Sequence, residues 1–394
     1  MKISLIQPSR NNLKYLKWSY NSIRKNQGNH EVEICIADDA STDGTWDWCL
    51  EMMGKDPLFK AHRNEGPNRL GHTILYDTLI NDVATNDIAM IYHADMYLCP
   101  NALTAIEKHI EPKTIVSLTR IEPPLHPQGP EKILWDGGVE PEEFKEQELL
   151  DKLVEFVNFR KTTGGIFAPW AFYRKDFQEI GGHDPLYAPQ SKEDSDIFNR
   201  FQLNGIRFVQ TWEGFVYHMT CRGSRRNTLD KAKNIYEDSP EWLAQNQRST
   251  RNFIRKWGHF VMHDPTLAPI VPPKYNIGLI VKNCNDQLLE ALEPWCDTIY
   301  VDDMNQREIE KYIVKEQVNT IIDLHPRIKP FDNEKNNEIL ITIDGNSFNN
   351  NDFANIQRIA QIIKQSGGIG EFKLGNIKIE IIQMNEYTKN LIKL

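Results

Sequence analysis

The chain lacks the marks of several common protein classes. Its six cysteines are scattered over 394 residues, with no CxxC and no paired spacing. That pattern excludes a zinc ribbon or a disulfide framework and fits a reducing, cytoplasmic compartment. No apolar run approaches the ~20 residues that cross a bilayer, so no transmembrane segment is expected. MKISLIQPSR has a short apolar run but no small-residue cleavage pattern, and reads as a first strand rather than a signal peptide. A basic surplus is missing too. The formal net charge is -9, which argues against a nucleic-acid partner, because neutralising phosphates needs a basic face. There is no internal repeat and no low-complexity tract.

What remains is a globular composition on a chain too long for one ordinary core, so two domains are expected. The first third alternates strand and helix. KISLIQP, VEICIADD and DIAMIYHAD read as strands, and LKYLKWSYNSIRKN, TWDWCLEMM and GHTILYDTLINDVA as helices, with Ser41 and Thr42 available as caps. Alternation of this kind predicts an α/β fold with a largely parallel sheet. RIEPPLHPQGPEKILWDGG, rich in Pro and Gly, reads as a long surface loop, and a charged helix follows from Pro141 to Val157. EDSDIFNRFQLNG reads as a helix, and IRFVQTWEGFVYH as one or two strands. HDPTLAPIVPPKYN carries four prolines. The boundary is placed there: a first domain over 1–264, a linker over 265–274 and a smaller α/β domain over 275–394. In that second domain IGLIV, DTIYVDD, VNTIIDLH, EILITIDG and IKIEIIQM read as strands.

In open parallel sheets, ligands bind beyond the carboxyl ends of the strands. Three N-terminal strands end in polar clusters: Pro8-Ser9-Arg10, Asp38-Asp39 and His93-Ala94-Asp95. Each alone has a structural explanation. Asp39 with Ser41 and Asp43 can shape a turn and cap a helix, and Asp95 can do the same before Pro100. Three on one edge point instead to a crevice.

The blocks QPSRNNLKYLKWSYNSI, IADDASTDGTW, RNEGPNRLGHTILYDTLINDVATNDIAMIYHADM and GGHDPLYAPQSKEDSDIFNRFQLNG, in that order, resemble a family 2 glycosyltransferase over roughly residues 1–225. The resemblance implies a GT-A fold, the Rossmann-like fold of nucleotide-diphospho-sugar transferases, followed here by a second, smaller α/β domain that it does not cover. It also implies a nucleotide-diphosphate sugar donor, a glycan or other hydroxyl acceptor, a divalent metal and inversion at the anomeric carbon. Surface glycan or polysaccharide synthesis is the expected setting.

On that resemblance, Asp39 accepts hydrogen bonds from the nucleotide base and Asp38 supports the pocket. Pro8, Ser9 and Arg10 line the nucleoside site. Asn64 and Arg69 approach ribose or phosphate, where the planar guanidinium fork suits a diphosphate. An ordinary loop arginine is the competing reading of Arg69. Asp95 matches the last acid of the family's Asp-x-Asp metal motif, whereas His93 stands where the first acid is expected. The role of His93 beside Ala94, toward metal, water or ribose, is open. His218, at a strand end beyond the acidic helix, is the second metal candidate, and Mn²⁺ is preferred to Mg²⁺ because it tolerates imidazole better. Asp194 matches the family's base, with Glu193 orienting the acceptor or supporting that base. Acids at a helix start also favour the helix dipole, which is the structural alternative. Arg222, with Arg225 and Arg226, could close over the diphosphate or form a solvated charge run. Trp135 and Trp170 could be acceptor platforms or core.

Two other readings stand beside this one. A sugar nucleotidyltransferase would place a Gly-rich loop where QPSRNNLKYL has no glycine. A non-catalytic carbohydrate-binding or scaffold protein on the same fold would account for His93. The C-terminal domain could serve an acceptor, a partner protein, or a second copy of the chain in a homo-oligomer.

Overall fold

The structure is a computed structural model that describes residues 1–220, 238–302 and 304–394. The chain folds as two compact units. One comprises Met1–Ala244, His263–Pro269 and Leu394; the other comprises Gln245–Met262 and Ile270–Lys393.

The first unit is built on a ten-stranded mixed sheet. Its strands are β1 (Lys2–Ser9), β2 (Glu31–Asp39), β3 (Phe59–Asn64), β4 (Ile88–Ile91), β5 (Met96–Leu98), β6 (Thr114–Glu122), β7 (Lys132–Leu134), β8 (Thr162–Thr163), β9 (Trp170–Tyr173) and β10 (Arg207–His218). The main path runs β3-β2-β1-β4-β9-β6-β10-β5. β1 is parallel to both β2 and β4. β9 is antiparallel to β4 and β6, and β10 is parallel to β6. Seven strands (β1, β2, β3, β4, β6, β7 and β10) therefore point the same way, and the carboxyl ends of β1, β2, β4, β6 and β10 share one edge. β1 and β2 are buried on both faces after their first residue, as expected of parallel strands covered by helices. The helices used below are α1 (Leu13–Asn26), α2 (Thr45–Lys55), α3 (Gly71–Thr78), α4 (Ala102–His109), α5 (Glu146–Phe156), α6 (Arg174–Glu179) and α7 (Glu193–Leu203).

Several local expectations are corrected. FKAHRN, not read as a strand, is β3, paired in parallel with β2. The segment read as a surface loop after Thr119 contains the end of β6 and all of β7, which pair with each other. The strand read through Asp95 ends at Ile91. α4 begins at Ala102 behind Asn101 rather than at Pro100. Asp43, not Ser41 or Thr42, supplies the polar group at the start of α2, accepting from Thr45 N and Oγ. Helix Pro141–Val157 is a short 3-10 turn, Pro141–Glu143, followed by α5. Trp170 is core, packed on Phe172, Phe198 and Phe201, and Trp135 packs on Tyr217.

The second unit has its own sheet and core. β11 (Ile277–Lys282), β12 (Thr298–Val301), β13 (Ile328–Pro330), β14 (Ile339–Asp344), β15 (Gly370–Leu374) and β16 (Ile377–Ile381) run in the order β13-β12-β11-β14-β16-β15. VNTIIDLH, expected to be a strand, is not one; β13 lies further along the chain. Inside this unit Glu293 is fully buried. It binds Arg255 through Nε at 3.0 Å and Nη2 at 2.6 Å, Arg327 at 3.2 Å, and the Tyr312 hydroxyl at 3.3 Å. Among the described residues, five cysteines are free and buried. No helix among them is long and apolar enough to cross a membrane.

Candidate active site

The shared edge of the first unit's sheet opens on a cavity of about 450 Å³, ordinary for a small-molecule site. Of the residues singled out from sequence, Pro8, Ser9, Arg10, Asp39, Arg69, His93, Ala94, Asp95, Glu193, Asp194 and His218 all line it. Asp38 and Asn64 do not. Asp38 is fully buried and accepts from Ser41 N at 3.1 Å. Asn64 donates to Asp39 Oδ1 at 2.7 Å. Arg222, Arg225 and Arg226 lie outside the described residues.

Asp39 organises the near wall. Besides Asn64, its carboxylate accepts from Leu70 N at 3.0 Å and Gly71 N at 2.9 Å. The loop between β3 and α3 is thereby drawn onto the end of β2. Gly71 has φ +78, and a Cβ there would lie 2.2 Å from Pro189 O, so only glycine fits this crossing. Arg69 is held by Gln190 Oε1 at 2.5 Å and lies 3.8 Å from Asp39.

The far wall is set by pairing. β5 runs antiparallel to β10, with Met96 opposite His218, so Asp95 arrives beside the end of β10. Met219 N donates to Asp95 O at 3.0 Å. β10 also carries a bulge between Thr211 and Phe215 that shifts its register against β6. The shift brings Tyr217 level with Ile121, and hence His218 level with Glu122. Gly214 sits within the bulge, where a Cβ would be 2.7 Å from that of Ala105.

His218 consequently lies between two carboxylates. Nδ1 is 2.8 Å from Glu122 Oε1, and Nε2 is 3.4 Å from Asp95 Oδ1. Burial works against charge on this ring, but Asp95 and Glu122 outweigh it and push the group up to about 9. Burial likewise opposes ionisation of Asp95, yet His218 holds that carboxyl down at about 2. His93, whose ring centroid is 5.7 Å from that of His218, is pushed down to about 3 by burial and then by His218. Ligand atoms of His93, Asp95 and His218 all lie within 4.8 Å of one another. The donor set fits a divalent ion. It combines a carboxylate, a neutral imidazole and a second imidazole whose other nitrogen is oriented by a carboxylate, the usual support for a metal-bound histidine.

Glu122 was not anticipated from sequence. It is 2% exposed and also binds Lys132 Nζ at 2.9 Å, with Arg120 Nε at 3.3 Å. Burial opposes its charge, but His218, Arg120 and Lys132 together hold it well below the usual carboxylate range. The signal was an acid closing the apolar strand TIVSLTRIE, the same signal that drew attention to Asp95.

Across the cavity, α7 begins at Glu193. Burial first, and Asp194 second, push the Glu193 carboxyl up to about 8. Among the described residues its Oε2 has no hydrogen-bond partner. Asp194 is exposed to the cavity and accepts from Ser195 N at 2.6 Å. The site thus offers a cluster that could hold a cation and, on the same cavity, a pair of acids, one of them exposed.

The sequence profile described as Glycosyl transferase family 2 matches residues 4–181. Those residues make up most of the first unit, which is thus similar to a glycosyltransferase domain of that family. Its mixed sheet, with a common carboxyl edge lined by these residues, is the GT-A arrangement. No curated protein sequence matches the chain. Among solved structures, the mannosyltransferase PcManGT from Pyrobaculum calidifontis, in complex with GDP-Man and Mn²⁺, is 17% identical with a TM-score of 0.43, over 68% of this chain and 67% of its own. GalNAc-T7 with UDP, GalNAc and Mn²⁺ is 15% identical with a TM-score of 0.44, over 66% of this chain and 51% of its own. The 1–349 form of S. aureus TarS is 14% identical with a TM-score of 0.40, over 98% of each chain.

Proposed function

We propose that the protein moves a sugar from a nucleotide-diphosphate donor to an acceptor hydroxyl, with inversion and with a divalent ion bound by Asp95, His218 and His93. The observation that carries this reading is the His93–Asp95–His218 cluster facing Glu193 and Asp194 across one cavity, within a family 2 domain. Two imidazoles in the set favour Mn²⁺ over Mg²⁺. An ion bound there supplies Lewis-acid neutralisation of the diphosphate leaving group.

The remaining work falls to the chain itself. Asp39 and the Pro8–Arg10 turn receive the nucleoside, and Asp39 also fixes the loop that carries Arg69. Arg69, anchored by Gln190, directs its guanidinium toward the diphosphate. Glu122 orients His218 through Nδ1, so that Nε2 is the ligand atom. Asp194 takes the proton of the acceptor hydroxyl as that oxygen attacks the anomeric carbon from the side opposite the leaving group. Glu193, held near neutrality in charge by burial, limits the repulsion that a second carboxylate would impose on Asp194.

Asp194→Asn tests the assignment. Transfer should fall by roughly 10²–10⁴-fold, the usual weight of a general base, while Mn²⁺-dependent binding of the nucleotide stays intact. Full transfer activity in that variant would exclude Asp194 as the base.

A further inference from the structure

Three rings stand in a row along one wall of the cavity. The centroids of His72 and Tyr76 on α3 are 5.7 Å apart, and those of Tyr76 and His183 are 5.6 Å apart. All three residues line the cavity. The row can be placed by the charges it feels. His72 interacts with Arg69, Asp39 and Asp95, and Tyr76 with Glu193, Asp194 and Asp95. His72 therefore sits on the Asp39 side, and Tyr76, which neighbours both His72 and His183, sits near Asp95 and the pair of acids. With a diphosphate at Asp95 and an acceptor at Asp194, a transferred sugar between them would border this row at Tyr76, next to His183.

His183 is held more tightly than a wall residue needs. Its side chain is 2% exposed. Its backbone N lies 3.0 and 3.3 Å from the two oxygens of Asp77, and its Nδ1 lies 2.6 Å from Asp77 Oδ1. The preceding Gly182 has φ +75, and a Cβ there would stand 2.1 Å from Asp77 Oδ2, so the carboxylate can close on the turn only because that residue is glycine. In the tautomer that donates to this carboxylate through Nδ1, Nε2 is a hydrogen-bond acceptor.

We propose that His183, positioned by Asp77, determines donor-sugar specificity: its Nε2 accepts a hydrogen bond from one hydroxyl of the transferred sugar lying along the His72–Tyr76–His183 row. This rests on the glycosyltransferase reading and adds the subsite that reads the sugar. His183 touches the substrate, and Asp77 acts through it by fixing the tautomer and the ring plane.

The test uses the full chain with Mn²⁺, a panel of UDP- and GDP-hexoses, and monodeoxy analogues of the donor the wild type uses. His183→Phe keeps a ring and removes the acceptor. It should raise the donor KM about tenfold, the weight of one lost hydrogen bond, with UDP or GDP binding within about twofold of wild type. His183→Gln, which retains an acceptor, should recover part of the loss, and Asp77→Asn should raise KM by less than His183→Phe. The monodeoxy donor that lacks the contacted hydroxyl should be used equally by wild type and His183→Phe. Unchanged donor KM in His183→Phe overturns the proposal, as does a loss of nucleotide binding in step with donor binding. A wild type that binds neither nucleotides nor nucleotide sugars overturns the transferase reading itself.

Discussion

Both units bury ionised side chains, but they do so in opposite ways. In the second unit Glu293 is surrounded: Arg255, Arg327 and the Tyr312 hydroxyl all reach its carboxylate, and Glu316 takes the other side of Arg255. Nothing is left for a ligand. In the first unit, Asp95 and His218 meet at the wall of a cavity, and Glu193 keeps a buried oxygen without a partner among the described residues. Both sheets have a parallel core, yet among the described residues only the first converges carboxylates and imidazoles on its carboxyl edge. A closed network specifies packing, whereas an open one can receive a cation and a substrate.

The sharpest way to break the contrast is to remove a charge from each. Asp95→Ala should lower Mn²⁺-dependent sugar transfer by at least about 10³-fold, because leaving-group charge would go unneutralised. Nucleotide-release assays across an Mn²⁺ titration would show it, and activity surviving at wild-type metal concentrations would dismiss Asp95 as a ligand. Glu293→Ala leaves Arg255 buried and uncompensated, so it should destabilise the second unit by about 3–5 kcal/mol in denaturant titrations. Cation affinity in the first unit should be unaffected. A smaller effect is expected from Glu122→Gln. It keeps the shape but weakens the orientation of His218, and should cost about 10–100-fold in Mn²⁺ affinity by calorimetry.

The smallest effect is also the most discriminating, because Glu293 and Glu193 should respond to pH with opposite signs. Burial opposes the charge of Glu293, but Arg255 and its neighbours lower its pKa below the ordinary 4.5. Its stabilisation is therefore full above pH 4.5 and is lost as pH falls. Glu193 is raised from 4.5 to about 8. Its stabilisation is full below pH 4.5 and is lost as pH rises through 8. Glu193→Gln should accordingly raise the melting temperature above pH 8 and leave it unchanged below pH 4.5. Glu293→Gln should remove the acid-side slope of the second unit. Contributions of the same sign from Glu193 and Glu293 would undo the comparison.

Much of this arrangement was written in local sequence. The alternation of KISLIQP, LKYLKWSYNSIRKN and VEICIADD required a covered parallel sheet. Acids read at strand ends, such as Asp39 and Asp95, marked the edge on which the cavity opens, since a carboxylate just past an apolar strand emerges at the sheet's rim. The restart of the pattern after four prolines marked the strands of a second sheet, though the second unit also takes in Gln245–Met262 from before them. VNTIIDLH shows the limit: its apolar run is strand-like, but no partner strand meets it, and β13 forms at Ile328–Pro330 instead. Trp170 shows another. A tryptophan within IFAPWAFY reads as core rather than platform, but its partners Phe172, Phe198 and Phe201 are known only from the packing.

Sequence alone determined which groups could do chemistry, because residue type and strand-end position are local properties. Tertiary structure decided which of them meet. His93 occupies the place of an expected acid, and the sequence left its role open. Antiparallel pairing of β5 with β10 sets it and Asp95 beside His218, and a bulge in β10 brings Glu122 level with that histidine. Register between strands far apart in the chain is fixed by pairing and packing, not by any one strand's own pattern. For that reason the orienting carboxylate of Glu122 and the Asp77–His183 clamp became visible only in the folded chain.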